Sequence, residues 1–204
     1  MPEQRRGCLA GLARLAGRFT RDRRGVAAVE FGFIAPVLLF LLIGAVEITR
    51  AVAIDRRLSV ATNMVADLVA REEKLTQNDV NAIYDVVERV MAPYDTAQLK
   101  MSLIPVKSSP TDANKVVVYP ETTNRPSLHG AAQPAKCQKY TLPTGLLSTG
   151  DSLIVVEASY SFSPMLMGYV MGASEWKEKA YAKPRNDCVV FDANCVVAST
   201  CFGS

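Results

Sequence analysis

The chain has 204 residues, a formal net charge of +3 and a single histidine. About fifty residues go to a basic tail and an apolar run, which leaves enough chain for one modest soluble domain. Residues 1–25 hold seven arginines against Glu3 and Asp22, a net of +5, whereas the remainder holds sixteen Lys or Arg against eighteen Asp or Glu, a net of −2. The basicity therefore lies in the tail, and the folded part has little room for the basic face that nucleic-acid binding requires.

In the tail, Leu9, Leu12, Ala16 and Phe19 recur at roughly helical spacing among arginines. That pattern suits a mitochondrial presequence or a short amphipathic helix on an anionic leaflet, but a solvated basic leader that only sets topology is the simpler reading. From Val26 to Val46 the only charged residue is Glu30. A helix of that length, at about 1.5 Å per residue, spans the roughly 30 Å hydrocarbon core of a bilayer. Basic flanks stay on the cytoplasmic side, which predicts the N-terminus inside and the residues after Glu47 outside. An ordinary secretory signal fits less well. Ala51-Val52-Ala53 is the nearest small-residue cleavage site, and Glu47 and Arg50 stand between it and the apolar run.

A carboxylate within a membrane helix is costly unless it meets a positive partner. Cutting the chain after Gly25 would create one, the α-ammonium of Val26, able to neutralise Glu30 of a neighbouring copy. The plain alternative is an uncleaved anchor that tolerates Glu30 near the interface. Gly25, four small or apolar residues and then Glu30-Phe31 look like the processing site of type IV pilin-like precursors. With the preceding arginines and the following Pro36-Val37-Leu38-Leu39, the stretch resembles the TadE/TadF/TadG-like pilus-assembly proteins. The resemblance implies cleavage after Gly25 by a prepilin peptidase, with Val26 supplying the new amine, Glu30 receiving it, and Phe31 to Val46 forming the membrane and bundle surface. It also implies a bacterial inner-membrane protein whose partners are pilins, other minor pilins and the inner-membrane Tad platform.

Beyond Glu47, Ile48, Val52, Leu58, Ala61, Val65, Leu68 and Val69 recur at three- and four-residue steps with no Gly or Pro up to Lys74. One long helix is expected, membrane-spanning first and amphipathic after. Thr76 and Asp79 read as a capping box, followed by a second helix whose apolar face, Val80 to Val90, ends before Pro93. Leu99, Met101 and Leu103 alternate with polar residues as in a half-buried strand, Ser108 to Asn114 carries turn residues, and Lys115 to Tyr119 is the partner strand. Pro120 to Pro143 shows no period and reads as a long loop. Ser152 to Phe162 is the strongest strand signal and is expected to be central. Met165 to Met171 suits a short helix or an apolar turn, and Trp176 to Ala182 a last strand before a tail that wraps back over the sheet. The expected fold is α+β and pilin-like, in three parts: a cytoplasmic leader 1–25, a transmembrane helix 26–47, and an extracytoplasmic domain 48–204 with a small antiparallel sheet. Residues 142–164, LPTGLLSTGDSLIVVEASYSFSP, followed by AYAKPR at 180–185, extend the resemblance to the C-terminal part of TadE-like proteins. The long loop and the cysteine-bearing tail depart from that pattern.

Cys8 lies in the leader, whereas Cys137, Cys188, Cys195 and Cys201 fall on the outer side, where disulfides persist. Two disulfides are expected, in any of three pairings. The spacings do not match a tight zinc site. His129 stands alone in the long loop and reads as a surface residue, and Glu157 as an outward-facing strand residue. No nucleophile–base pair, P-loop or zinc-protease motif occurs, so neither an enzyme nor a cofactor is expected.

Overall fold

A computed structural model describes residues 24–119, 127–164, 172–191 and 197–202. These residues fall into two units, one ending at Glu47 and the other beginning at Ile48. The expectations for the leader, for Met165 to Met171 and for Cys8 and Cys195 lie outside the described residues.

One helix, α1, runs from Arg24 to Arg71 and continues through Pro36. In its second half Ile54, Leu58, Ala61, Val65, Ala66 and Val69 are buried. They follow the three- and four-residue spacing that places side chains on one face. Asp55, Arg56, Asn63 and Asp67 occupy the exposed side. A buried threonine, Thr62, donates its hydroxyl to Leu58 O at 2.7 Å, so its own polar group is satisfied within the core.

Helix α2 spans Gln77–Met91. Its capping box is complete: Thr76 Oγ1 accepts from Asp79 N–H at 3.4 Å, and Asp79 Oδ2 accepts from Thr76 N–H at 2.9 Å. Hydrogen bonds from Thr76 lower the Asp79 carboxyl pKa. Val80, Tyr84, Val87 and Met91 form the buried face. The connection before α2 holds a two-residue strand, β1 (Lys74–Leu75).

The main sheet contains β2 (Leu99–Ser108), β3 (Val116–Val118), β4 (Ser127–Leu128), β5 (Ser152–Phe162) and β6 (Ser174–Ala182). Its order is β3-β2-β5-β6, all antiparallel, with β4 also pairing with β2. Strand β5 is central, as its strong strand signal predicts. On one face Leu99, Met101, Leu103, Ile154, Val156, Ala158 and Tyr160 pack with the buried residues of α1 and α2. On the other, Ile104, Val106, Val116, Val118, Leu153 and Val155 form a second cluster beneath Tyr140, Leu142 and Leu147.

That second cluster corrects two readings. Strand β2 is buried on both faces over most of its length, not half-buried. Part of the supposed loop, Pro120 to Pro143, supplies β4 and, further on, a segment along β3. Nor is β6 the last strand. The chain goes on to β7 (Val190–Phe191), which pairs in parallel with β1. Arg185 N–H donates to Ala70 O at 3.0 Å and Val190 N–H to Glu73 O at 3.0 Å, so the tail satisfies carbonyls at the end of α1 and just beyond it.

Candidate functional site

The first half of α1 has the opposite surface from the second. Val26, Phe31, Phe33, Leu38, Phe40 and Leu42 are all exposed, Phe31 by 67%. Glu30 is exposed among them. Val26 and Glu30 are four residues apart, so they lie one above the other on one strip of helix surface. The apolar run ends at Glu47, which is buried.

Gly25 lies in the first turn of α1, and a Cβ added there would meet nothing within 4 Å. Glycine inside a helix is about 1 kcal/mol less favourable than alanine. No close approach among the described residues requires it, so their packing does not explain its presence.

Cys137 and Cys201, 64 residues apart, are joined in a disulfide. Cys188 is also disulfide-bonded. The bond from Cys201 fastens the end of the tail, a 3-10 turn at Ser199–Phe202, to the long loop.

His129 is exposed, as expected of a surface residue, and it also ties elements together. Its Nδ1 lies 2.9 Å from Leu99 O and its Nε2 3.6 Å from Glu88 Oε1 of α2. Glu157 faces the outer side of the sheet, as its alternation predicts. Tyr140 O–H donates to Glu157 Oε1 at 2.5 Å, and Lys179 Nζ meets the same oxygen at 2.6 Å. Burial pushes the Glu157 carboxyl up, but the hydrogen bonds from Lys179 and Tyr140 outweigh it and leave its pKa below the ordinary value. Burial first, and then Glu157, push the Tyr140 hydroxyl well above its usual range. This trio anchors the loop to the sheet. Nothing in the sequence pairs Tyr140 with Glu157, because the loop has no period from which to read register.

A shallow cleft of roughly 500 Å³ beside the trio is lined by Lys100, Ser102, Ser159, Glu175 and Lys177 among others. Two of its lysines are matched by carboxylates, Lys177 with Glu175 at 3.1 Å and Lys179 with Glu157. Among the described residues no group of three His, Cys, Asp or Glu side chains is placed to hold a metal ion.

α1 is long and apolar enough to cross a membrane. The family model described as TadE-like protein matches residues 25–67, which lie entirely within α1 and include both its exposed and its buried halves. No curated protein and no solved structure matches the chain. Residues 25–67 are thus similar to the TadE-like family, and the similarity lies in the helix that holds the candidate membrane span.

Proposed function

We propose that the protein is a structural minor pilin, or pseudopilin, of a Tad-type pilus assembly system. The observation that carries this reading is the first half of α1: an exposed apolar helix whose single charged group between Val26 and Val46 is Glu30, preceded by a glycine that no contact among the described residues requires. A prepilin peptidase cuts after Gly25. The new ammonium of Val26 then neutralises Glu30 of a neighbouring subunit as helices pack side by side, and Phe31 begins the apolar surface between them. The basic leader stays cytoplasmic before cleavage and the domain from residue 48 onward lies in the periplasm, from which the subunit enters or primes the fibre with other pilins on the inner-membrane platform. Removing residues 1–25 also turns the net charge from +3 to −2.

The test is the intact mass of the protein from its native envelope, with and without the peptidase. A mature species beginning at Val26 that disappears with the peptidase supports the proposal, and Glu30→Ala is then expected to abolish assembly while processing continues. A full-length chain in both samples overturns processing and leaves an uncleaved, membrane-anchored periplasmic scaffold.

A further inference from the structure

Within the second unit the sheet has a fixed direction along α1. At one end Arg185, just past β6, donates its N–H to Ala70 O at 3.0 Å. From Arg185 back to Trp176, near the start of β6, the chain covers up to about 30 Å at roughly 3.3 Å per residue. From Ala70 back to Arg50, α1 also covers about 30 Å, at roughly 1.5 Å per residue. The other end of the sheet, where Leu99 pairs with Tyr160 and Tyr160 with Trp176, is therefore level with the stretch Arg50 to Arg57. Two interactions agree with that level. The Arg57 guanidinium lies 5.2 Å from the ring centre of Tyr94, which comes just before β2, and Tyr160 feels the charges of Asp95 and Arg50. Arg50 itself follows the end of the apolar run at Val46 by four residues, or about 6 Å of helix.

We propose that this end of the sheet rests on the phospholipid interface of the membrane that α1 crosses, with the Trp176 indole at the level of the headgroups. The inference rests on the membrane span of the proposed function and not on cleavage after Gly25. An aromatic pair marks the contact: the Trp176 and Phe162 rings stack with centroids 5.0 Å apart and planes 12° from parallel. Phe162 is buried, whereas Trp176 packs on the rim of the inner cluster and is only half-buried. A tryptophan so placed suits the interface, because its ring is apolar and its N–H seeks a polar partner. Charge is not what draws it there, since the neighbouring Lys177 is matched by Glu175 at 3.1 Å. The contact gives the domain a hold on the bilayer separate from the helix.

The experiment uses the fluorescence of Trp176, the chain's one tryptophan, in the full-length protein reconstituted into phosphatidylcholine vesicles. Some of the lipid carries a nitroxide quencher, either just below the headgroup or near the bilayer centre. The shallow label is expected to lower the emission at least twofold and the deep label by much less, with no change when phosphatidylglycerol or salt is added. The paired variant Trp176→Phe/Tyr181→Trp keeps a ring in the stack and moves the indole to the far end of the same strand, about 17 Å away. Its emission is expected to stay the same with either label. A chain that floats with the vesicles while Trp176 escapes the shallow label overturns the contact, as does equal quenching of wild type and variant. Quenching that appears only with anionic lipid at low salt overturns the aromatic contact in favour of charge attraction. A chain that does not float with the vesicles overturns the membrane span, and the contact with it.

Discussion

The two halves of α1 share one helix and differ in their surroundings. From Val26 to Val46 most apolar side chains stand exposed on every side, whereas from Ile54 to Val69 most keep to one buried face, with Val60 an exception. An all-round apolar helix is suited to hydrocarbon, where its backbone is satisfied internally, and a one-sided helix to a water-facing domain. The same residue types thus serve two solvents, and the pattern rather than the composition assigns them. The sharpest test removes similar apolar bulk from each half. Leu58→Ala is expected to destabilise the soluble unit by about 2–5 kcal/mol through lost burial and a cavity. Phe33→Ala should leave its unfolding unchanged within about 0.5 kcal/mol. Denaturant unfolding of the full chain in detergent, followed by the fluorescence of its one tryptophan, Trp176, measures both. Equal losses would abolish the distinction.

The two faces of the sheet extend the comparison. One is sealed by helices, the other by a loop that needs polar anchors. Tyr140→Phe removes the hydroxyl from Glu157 and is expected to cost about 1.5 kcal/mol at neutral pH, the low end for a hydrogen bond to a charged group because the site is half-exposed. The pH dependence has a definite sign. Glu157 has its carboxyl pKa depressed below 4.5 in the folded chain, so the stabilisation is fully present above the unfolded value and fades as pH falls through the folded one. Chemical unfolding from pH 7 to pH 3 should show the variant and wild type converging at the acid end. A constant gap would mean that the hydroxyl works without the carboxylate.

At the start of α2 a smaller effect is expected. Thr76→Ala removes the side-chain acceptor for Asp79 N–H and should cost about 1 kcal/mol. Thr76→Ser retains the acceptor and should recover most of the loss, whereas equal behaviour of the two variants would show that the cap contributes nothing. Both are read from thermal unfolding midpoints.

Legibility in the sequence followed the range of the forces. Both helices, the Thr76–Asp79 box and strands β2, β3, β5 and β6 are set by local period and caps, and each can be read from a few neighbouring residues. The β1–β7 pair joins residues more than a hundred positions apart, and two-residue strands carry no alternation to detect. The loop pairing with β3 escaped for the same reason. The second face of β2 was misread because Ile104 and Val106 are covered by Tyr140, Leu142 and Leu147, whose own stretch has no period. At the candidate site Glu30 announces itself as a lone charge in an apolar run, and Gly25 by its position before it. His129 offered no such signal, since its contacts come from α2 and β2, distant in sequence.

The smallest expected effect separates two lysines on one face of β6. Lys177 meets Glu175 on its own strand, with side chains 68% and 49% exposed, whereas Lys179 reaches Glu157 on β5, the carboxylate that also holds Tyr140. An exposed pair gains little from its Coulomb attraction, because water screens it and ordering two long side chains costs entropy. Lys177→Met should therefore leave the unfolding midpoint indistinguishable from wild type. Lys179→Met should lower it and also reduce the cost of Tyr140→Phe, since the two act on one carboxylate and their effects are not independent. If the double variant at 140 and 179 lost the simple sum of the two single losses, Tyr140 and Lys179 would be independent contacts and not two holds on one carboxylate.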